Sequence, residues 1–175
     1  MKKKSEIILP TKLEDQIDVP IKKSVAMLNL LGIRTLWACC GFDYKGQPKY
    51  KDHVYGNPHI IIDFEDGLRM KDNGLLAIAI NSGWQLAVSQ ASCTIVFVLT
   101  ARKMYEGIWK DPKSIHYHEN ANIAIKNLEN ALRKCTPYFK DEVILIDENS
   151  VMQKHFEHWG HEPSDNWVIK KEDYI

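Results

Sequence analysis

Apolar positions fall into runs of two periods along the chain, and these predict its elements. Ile21, Val25 and Leu28 recur at helical spacing with Leu31 close behind, and Gly32 stands where a left-handed residue ends a helix. A helix over 18–31 follows, with Asp18 as its cap and Pro20 in the first turn, where a missing N–H is harmless. Residues 34–38 and 59–64 read as strands, the second ended by Asp66-Gly67. Leu75, Leu76, Ile78 and Ala79 give a helix beginning at Lys71 or Asp72 and closed by Ser82-Gly83. Residues 84–88 and 93–99 are spaced as an antiparallel hairpin, and the second strand, apolar on both faces, is expected to be central. Ala121, Ile125, Leu128, Leu132 and Cys135 form one stripe of a helix over 119–135, with Pro137 just beyond it.

The remainder is less regular. Residues 1–17 form a charged leader around Ile7-Ile8-Leu9-Pro10, and 101–109 suit either a short helix or more hairpin. A strand is expected over 142–147, a helix over 151–159 carrying Met152, Phe156 and Trp159, and a terminal strand over 166–170. No repeat or linker divides the chain, so the expectation is a single α+β domain over 1–175. Its sheet is expected to be mixed or mainly antiparallel and covered by helices.

Between the first two strands, residues 42–57 are punctuated by Gly46, Pro48, Gly56 and Asn57, too often for a regular element. A connection of about sixteen residues exceeds the usual length, and such loops are commonly functional. Overall charge does not discriminate among partners, since 23 basic side chains balance 23 acidic ones. Its distribution does: residues 1–60 carry ten basic and six acidic side chains, a mild preference for an anionic ligand near the loop. Cys39, Cys40, Cys93 and Cys135 form no extracellular framework, and no apolar run is long enough for a signal peptide or a membrane span. A cytoplasmic protein with reduced thiols is the expectation.

The chemistry that the residues offer centres on this loop. Lys45, Lys49, Lys51 and His53 alternate with Tyr44, Tyr50 and Tyr55; cations grip phosphate while aromatic rings stack on bases. Gly41 and His59 flank that run and complete the candidate ligand-binding set. Cys40 before Gly41 fits a reactive thiol, its thiolate favoured by turn N–H groups and by the lysines, and Cys39 shares its position. Asp63, at the end of a strand, is the best-placed carboxylate for a general base. The adjacent cysteines lack the spacing of a structural zinc site, whereas His155, His158 and His161 supply three imidazoles for a transition metal. No phosphate-binding glycine loop, dinucleotide fingerprint or Ser-His-Asp order is present, and no cofactor is indicated.

Ala38-Cys39-Cys40-Gly41-Phe42, following the helix over 18–31, resembles one local feature of the wybutosine-synthesis tRNA methyltransferase family. There a helix leads through a strand into a Ser-Cys-small-Gly-basic loop near a proposed tRNA and S-adenosylmethionine site. Cys39 matches the family cysteine and Gly41 its glycine, while Ala38 and Phe42 replace the serine and the basic residue. The likeness covers residues 32–42. It implies an RNA-related transferase, in line with the basic, aromatic loop.

The leading expectation is therefore binding of a nucleotide or RNA-like anionic ligand, with modification chemistry as an extension. One alternative is a non-enzymatic interaction protein or homo-oligomer with Trp37, Trp84 or Trp109 as exposed anchors. Another is a metal-dependent enzyme using His155, His158 and His161.

Overall fold

A helix buried on every side beyond its first two residues organises the chain. In the computed structural model, which describes residues 13–42, 44, 56–91, 94–102, 115–146 and 166–175, a short helix α1 (Leu13–Gln16) leads through a 3-10 turn (Val19–Ile21) into α2 (Lys22–Leu30). From Ser24 to Leu30 every residue of α2 is buried. Such a helix has no solvent stripe and needs neighbours all round. Strand β1 (Thr35–Cys39), the long helix α5 (Ile115–Arg133) and the strands β5 (Glu142–Leu145) and β6 (Trp167–Lys170) all touch it. Asn29, its one buried amide, donates to Val25 O at 2.9 Å and to Thr35 Oγ1 at 2.8 Å, which ties α2 to the start of β1.

Among the described residues two antiparallel sheets result. The larger joins β1, β2 (His59–Asp63), β3 (Trp84–Ala91) and β4 (Thr94–Ala101) in the order β1-β2-β4-β3; the smaller pairs β5 with β6. This is an α+β domain whose antiparallel sheets are covered by helices, as the periodicity implies. The hairpin and the interior place of β4 agree with expectation, as do the helix over α5 and the terminal strand β6. Within the described residues no helix is long and apolar enough to cross a membrane.

Two adjacent helices, α3 (Phe64–Asp72) and α4 (Leu75–Asn81), stand where the apolar pattern predicts one later helix. Asp66-Gly67 does not end a strand but lies inside α3, which starts directly at Asp63, whose carboxylate accepts the Glu65 N–H at 3.0 Å. Gly67 is needed there for approach: a Cβ at that position would run into the Phe97 ring. Phe64 stacks on the same ring at 5.3 Å. Together they seat α3 on the sheet face formed by Ile60, Ile62, Phe97 and Leu99, and Trp84 of that face donates its indole N–H to Ala124 O of α5 at 2.9 Å.

On the opposite face the register aligns Trp37, Ile61, Val98 and Ala87 in one row across all four strands. Trp37 and Ala87 are exposed there, Ile61 and Val98 half-buried. The leader around Ile7-Ile8-Leu9-Pro10, any element over 103–109 and the helix over 151–159 lie outside the described residues.

The Gly67–Phe97 approach sets two effects against each other. Alanine is the better helix former by about 1 kcal/mol, yet overpacking costs about 1–3 kcal/mol. Gly67→Ala is therefore expected to lower the urea midpoint with an unchanged m-value; an unchanged or raised midpoint would show that Phe97 simply turns aside.

Candidate functional site

The expected loop leaves the sheet at the end of β1 and re-enters it at the start of β2, and both roots are pinned. Asp18 does not cap the first helix through its side chain. It is 1% exposed and its carboxylate instead accepts the Cys40 N–H at 2.8 Å, binding the entry to α2 to the exit of β1. Beyond it Gly41 turns the chain with φ +80, a conformation that disfavours residues with a Cβ. A Cβ there would also collide with the Gly56 carbonyl. Gly56 N–H donates to Gly41 O at 3.3 Å, so the departing and returning chains meet. The hydroxyl of Tyr117, at the start of α5, sits between the Gly41 carbonyl at 3.1 Å and that of Gly56, one proton shared by two acceptors.

The loop foot is then fastened to β4. Asn57 Nδ2 donates to Ala101 O at 2.9 Å, and Ala101 N–H donates to Pro58 O at 2.9 Å. His59 Nδ1 lies 2.9 Å from Asn57 O. A carbonyl only accepts, so Nδ1 carries the proton and Nε2 is the acceptor of the neutral ring. The imidazole lies against Trp37 on the half-exposed sheet face, with centroids 5.2 Å apart and planes tilted by 47°.

Several expected roles change in this setting. Cys39 and Cys40 are both buried. The Gly41 turn N–H, expected to favour a Cys40 thiolate, donates to Sγ of Cys39 at 3.3 Å, while the Cys40 thiol donates to Phe42 O at 3.2 Å. Burial, and then the adjacent Asp18 carboxylate, push the Cys40 thiol well above its ordinary range, the reverse of nucleophile activation. Gly41 has its N–H and carbonyl engaged within the protein. Asp63 caps α3 and pairs with Arg34 at 2.7 Å, a structural use of the carboxylate expected as a base. Tyr44 packs half-buried against the core. Trp84, a candidate exposed anchor in the sequence, is fully buried, whereas Trp37 is 36% exposed.

Lys45, Lys49, Tyr50, Lys51 and His53 lie outside the described residues, as do Cys93, Trp109, His155, His158 and His161. Among the described residues no group of three His, Cys, Asp or Glu side chains is placed to hold a metal. A separate hollow of about 280 Å³ lies beside Asn29, Gly32, Arg34, Lys140 and the stretch 143–146. Of its two cations, Arg34 is committed to Asp63.

The Trp37–His59 pair is not legible as a unit in the sequence, although each residue stands out alone. Period-two alternation puts Trp37 and Cys39 on one face, and only the β1–β2 register, Cys39 opposite His59, brings the rings together. No protein-family model, no curated protein and no solved structure matches the chain.

The buried hydroxyl and thiol give the fold an alkaline limit. Burial pushes Tyr117 from an ordinary 10.0 up to about 12, and Cys40 rises from 9.0. Below about pH 8 both are neutral folded and unfolded. Above that the unfolded chain releases its protons first, so stability falls as pH climbs toward 12. Urea unfolding should show this decline, and Tyr117→Phe should remove part of it while costing about 1–2 kcal/mol at neutral pH through the lost hydroxyl bonds. An alkaline limb identical in parent and variant would show that Tyr117 is not held as described. Asp18→Ala, which strands the buried Cys40 N–H, should cost about 1–3 kcal/mol in the same measurement.

Proposed function

We propose that the chain binds a nucleotide-class anionic ligand, a short single strand of RNA in the first instance, at the root of the 42–57 loop. The observation that supports this most is the Trp37–His59 ring pair on the half-exposed face of the sheet, beside the strand ends from which the loop departs and to which it returns. An exposed indole on a pleated face offers a base a stacking surface without selecting its identity, and each such stack is worth about 1–3 kcal/mol. His59 Nε2 adds an acceptor at the edge of that platform. Lys45, Lys49 and Lys51 belong to the loop between the pinned roots and supply the phosphate contacts in this proposal. The pinch of Gly41, Gly56 and Tyr117 holds those roots together, so both ends of the segment that carries the lysines are fixed beside the ring pair.

Binding rather than chemistry is the function these observations favour. Both loop cysteines are buried and the Cys40 thiol is held protonated, and Asp63 is committed to a helix end and to Arg34. The modification reaction implied by the resemblance at residues 32–42 would thus need a reactive group other than these three.

Fluorescence anisotropy with a labelled single-stranded RNA of about ten nucleotides tests the proposal. Affinity should fall with salt, and replacing Lys45, Lys49 and Lys51 by alanine should flatten the log–log salt slope by about 0.7 for each phosphate that is no longer neutralised. Trp37→Ala should weaken binding about 5-fold or more at every salt concentration, as loss of one stack requires. Absence of binding at low salt, or binding indifferent to Trp37→Ala and to the lysine replacements, would refute it.

A further inference from the structure

Strand β3 ends the order β1-β2-β4-β3, so one of its edges has no strand partner among the described residues. An open edge presents a row of backbone donors and acceptors, and proteins normally blunt it with charge, proline, a bulge or brevity. The other strand edges are blunted. β1 is five residues long, carries a register shift between Thr35 and Trp37, and is preceded by Arg34. β5 and β6 have four residues each and include Glu142 and Lys170. β3 has none of these protections. Its eight residues, Trp84–Ala91, contain no charge, proline or glycine, and its pairing with β4 runs from Trp84↔Ala101 to Ala91↔Thr94 without a shift. Gln85, Ala87, Val88, Ser89 and Gln90 are all exposed, Val88 by 63%.

We infer that β3 pairs antiparallel with β3 of a second copy of this chain, joining two four-stranded sheets into one of eight. The strand is complementary to itself. In such a pairing directly opposite residues share a face, so a dyad perpendicular to the sheet must pass midway between a residue and its own copy. With the dyad at Ala87, Leu86 faces Val88 of the second copy, and the reverse contact recurs on the other side. Gln85 likewise faces Ser89 twice. Around the dyad Leu86 meets Val88 on one face and Gln85 meets Ser89 on the other, the outer pair sets Trp84 opposite Gln90, and no charge repels its own copy. The small side chain at the dyad lets the strands approach. The row Trp37–Ile61–Val98–Ala87 then runs on through the second Ala87 to the second Trp37, so one continuous surface carries two ring pairs. This assembly stands independently of the ligand proposed above.

Sedimentation equilibrium of the full chain over a range of concentrations reads the assembly directly. The parent should be a dimer that dissociates on dilution. Ala87→Arg, which sets two guanidinium groups against each other at an exposed position, should weaken the dimer at least about ten-fold with an unchanged circular dichroism spectrum. Ala87→Cys should form a disulfide-linked dimer under mild oxidation well beyond the parent's background, and Gln85→Cys, which faces Ser89 of the second copy, should not. A parent that stays monomeric throughout, or a dimer that survives Ala87→Arg and cross-links no better through Ala87→Cys than through Gln85→Cys, would overturn the inference.

Discussion

Burial of α2 on every side from Ser24 to Leu30 is the constraint on which the rest of the structure depends. A helix without a solvent face cannot be stable alone, and its length of nine residues is below what isolated helices need in water. It is held by packing of β1, α5 and the β5–β6 pair around it, with Ile21, Val25, Leu28 and Leu30 in one contiguous core. Two polar ties orient it. Asn29 connects its last turn to Thr35, and Asp18, just ahead of it, reaches Cys40 at the far end of the same strand. Helix and strand are thereby registered at both ends of β1. The position of the Gly41 turn, and hence of the loop roots, follows from that registration.

Those two ties also explain what periodicity can and cannot reveal. The stripe of Ile21, Val25 and Leu28, the terminating Gly32, the hairpin of β3 and β4 and the apolar face of α5 are local patterns, and each is the element it predicts. Asp18 reads as a helix cap because its neighbours are helical. Its actual partner, the Cys40 N–H, is twenty-two residues away and becomes visible only when β1 is laid beside α2. Gly67 reads as a strand terminator because glycine usually punctuates, whereas it lies inside α3, where the Phe97 ring leaves no room for a Cβ. That contact depends on which face α3 covers, a tertiary fact absent from a local window.

The candidate site divides in the same way. The cysteine, glycine and histidine that cluster in the sequence belong to a segment whose ends the structure fastens, with Gly41, Gly56, Asn57 and His59 each hydrogen-bonded there. Their chemical roles are not legible where burial decides them. A cysteine beside a turn and three lysines reads as an activated thiol, yet the Cys40 N–H is bound by the Asp18 carboxylate and its thiol has no exposure to solvent. Trp37 and Trp84 are equally bulky in the sequence, and only the sheet's two faces distinguish them. One meets Ala124 from the core, and the other lies in the open beside His59.

The open sheet face at the root of the loop is the proposed ligand site, and residue-resolved NMR of the full chain titrated with short single-stranded RNA tests that proposal most directly. The predicted result is a saturable set of shifts at the Trp37 indole, at His59, Ile61 and Val98, and at the amides of Lys45, Lys49 and Lys51. An unperturbed spectrum at saturating RNA, or shifts confined to the hollow around Arg34 and Lys140, would contradict it.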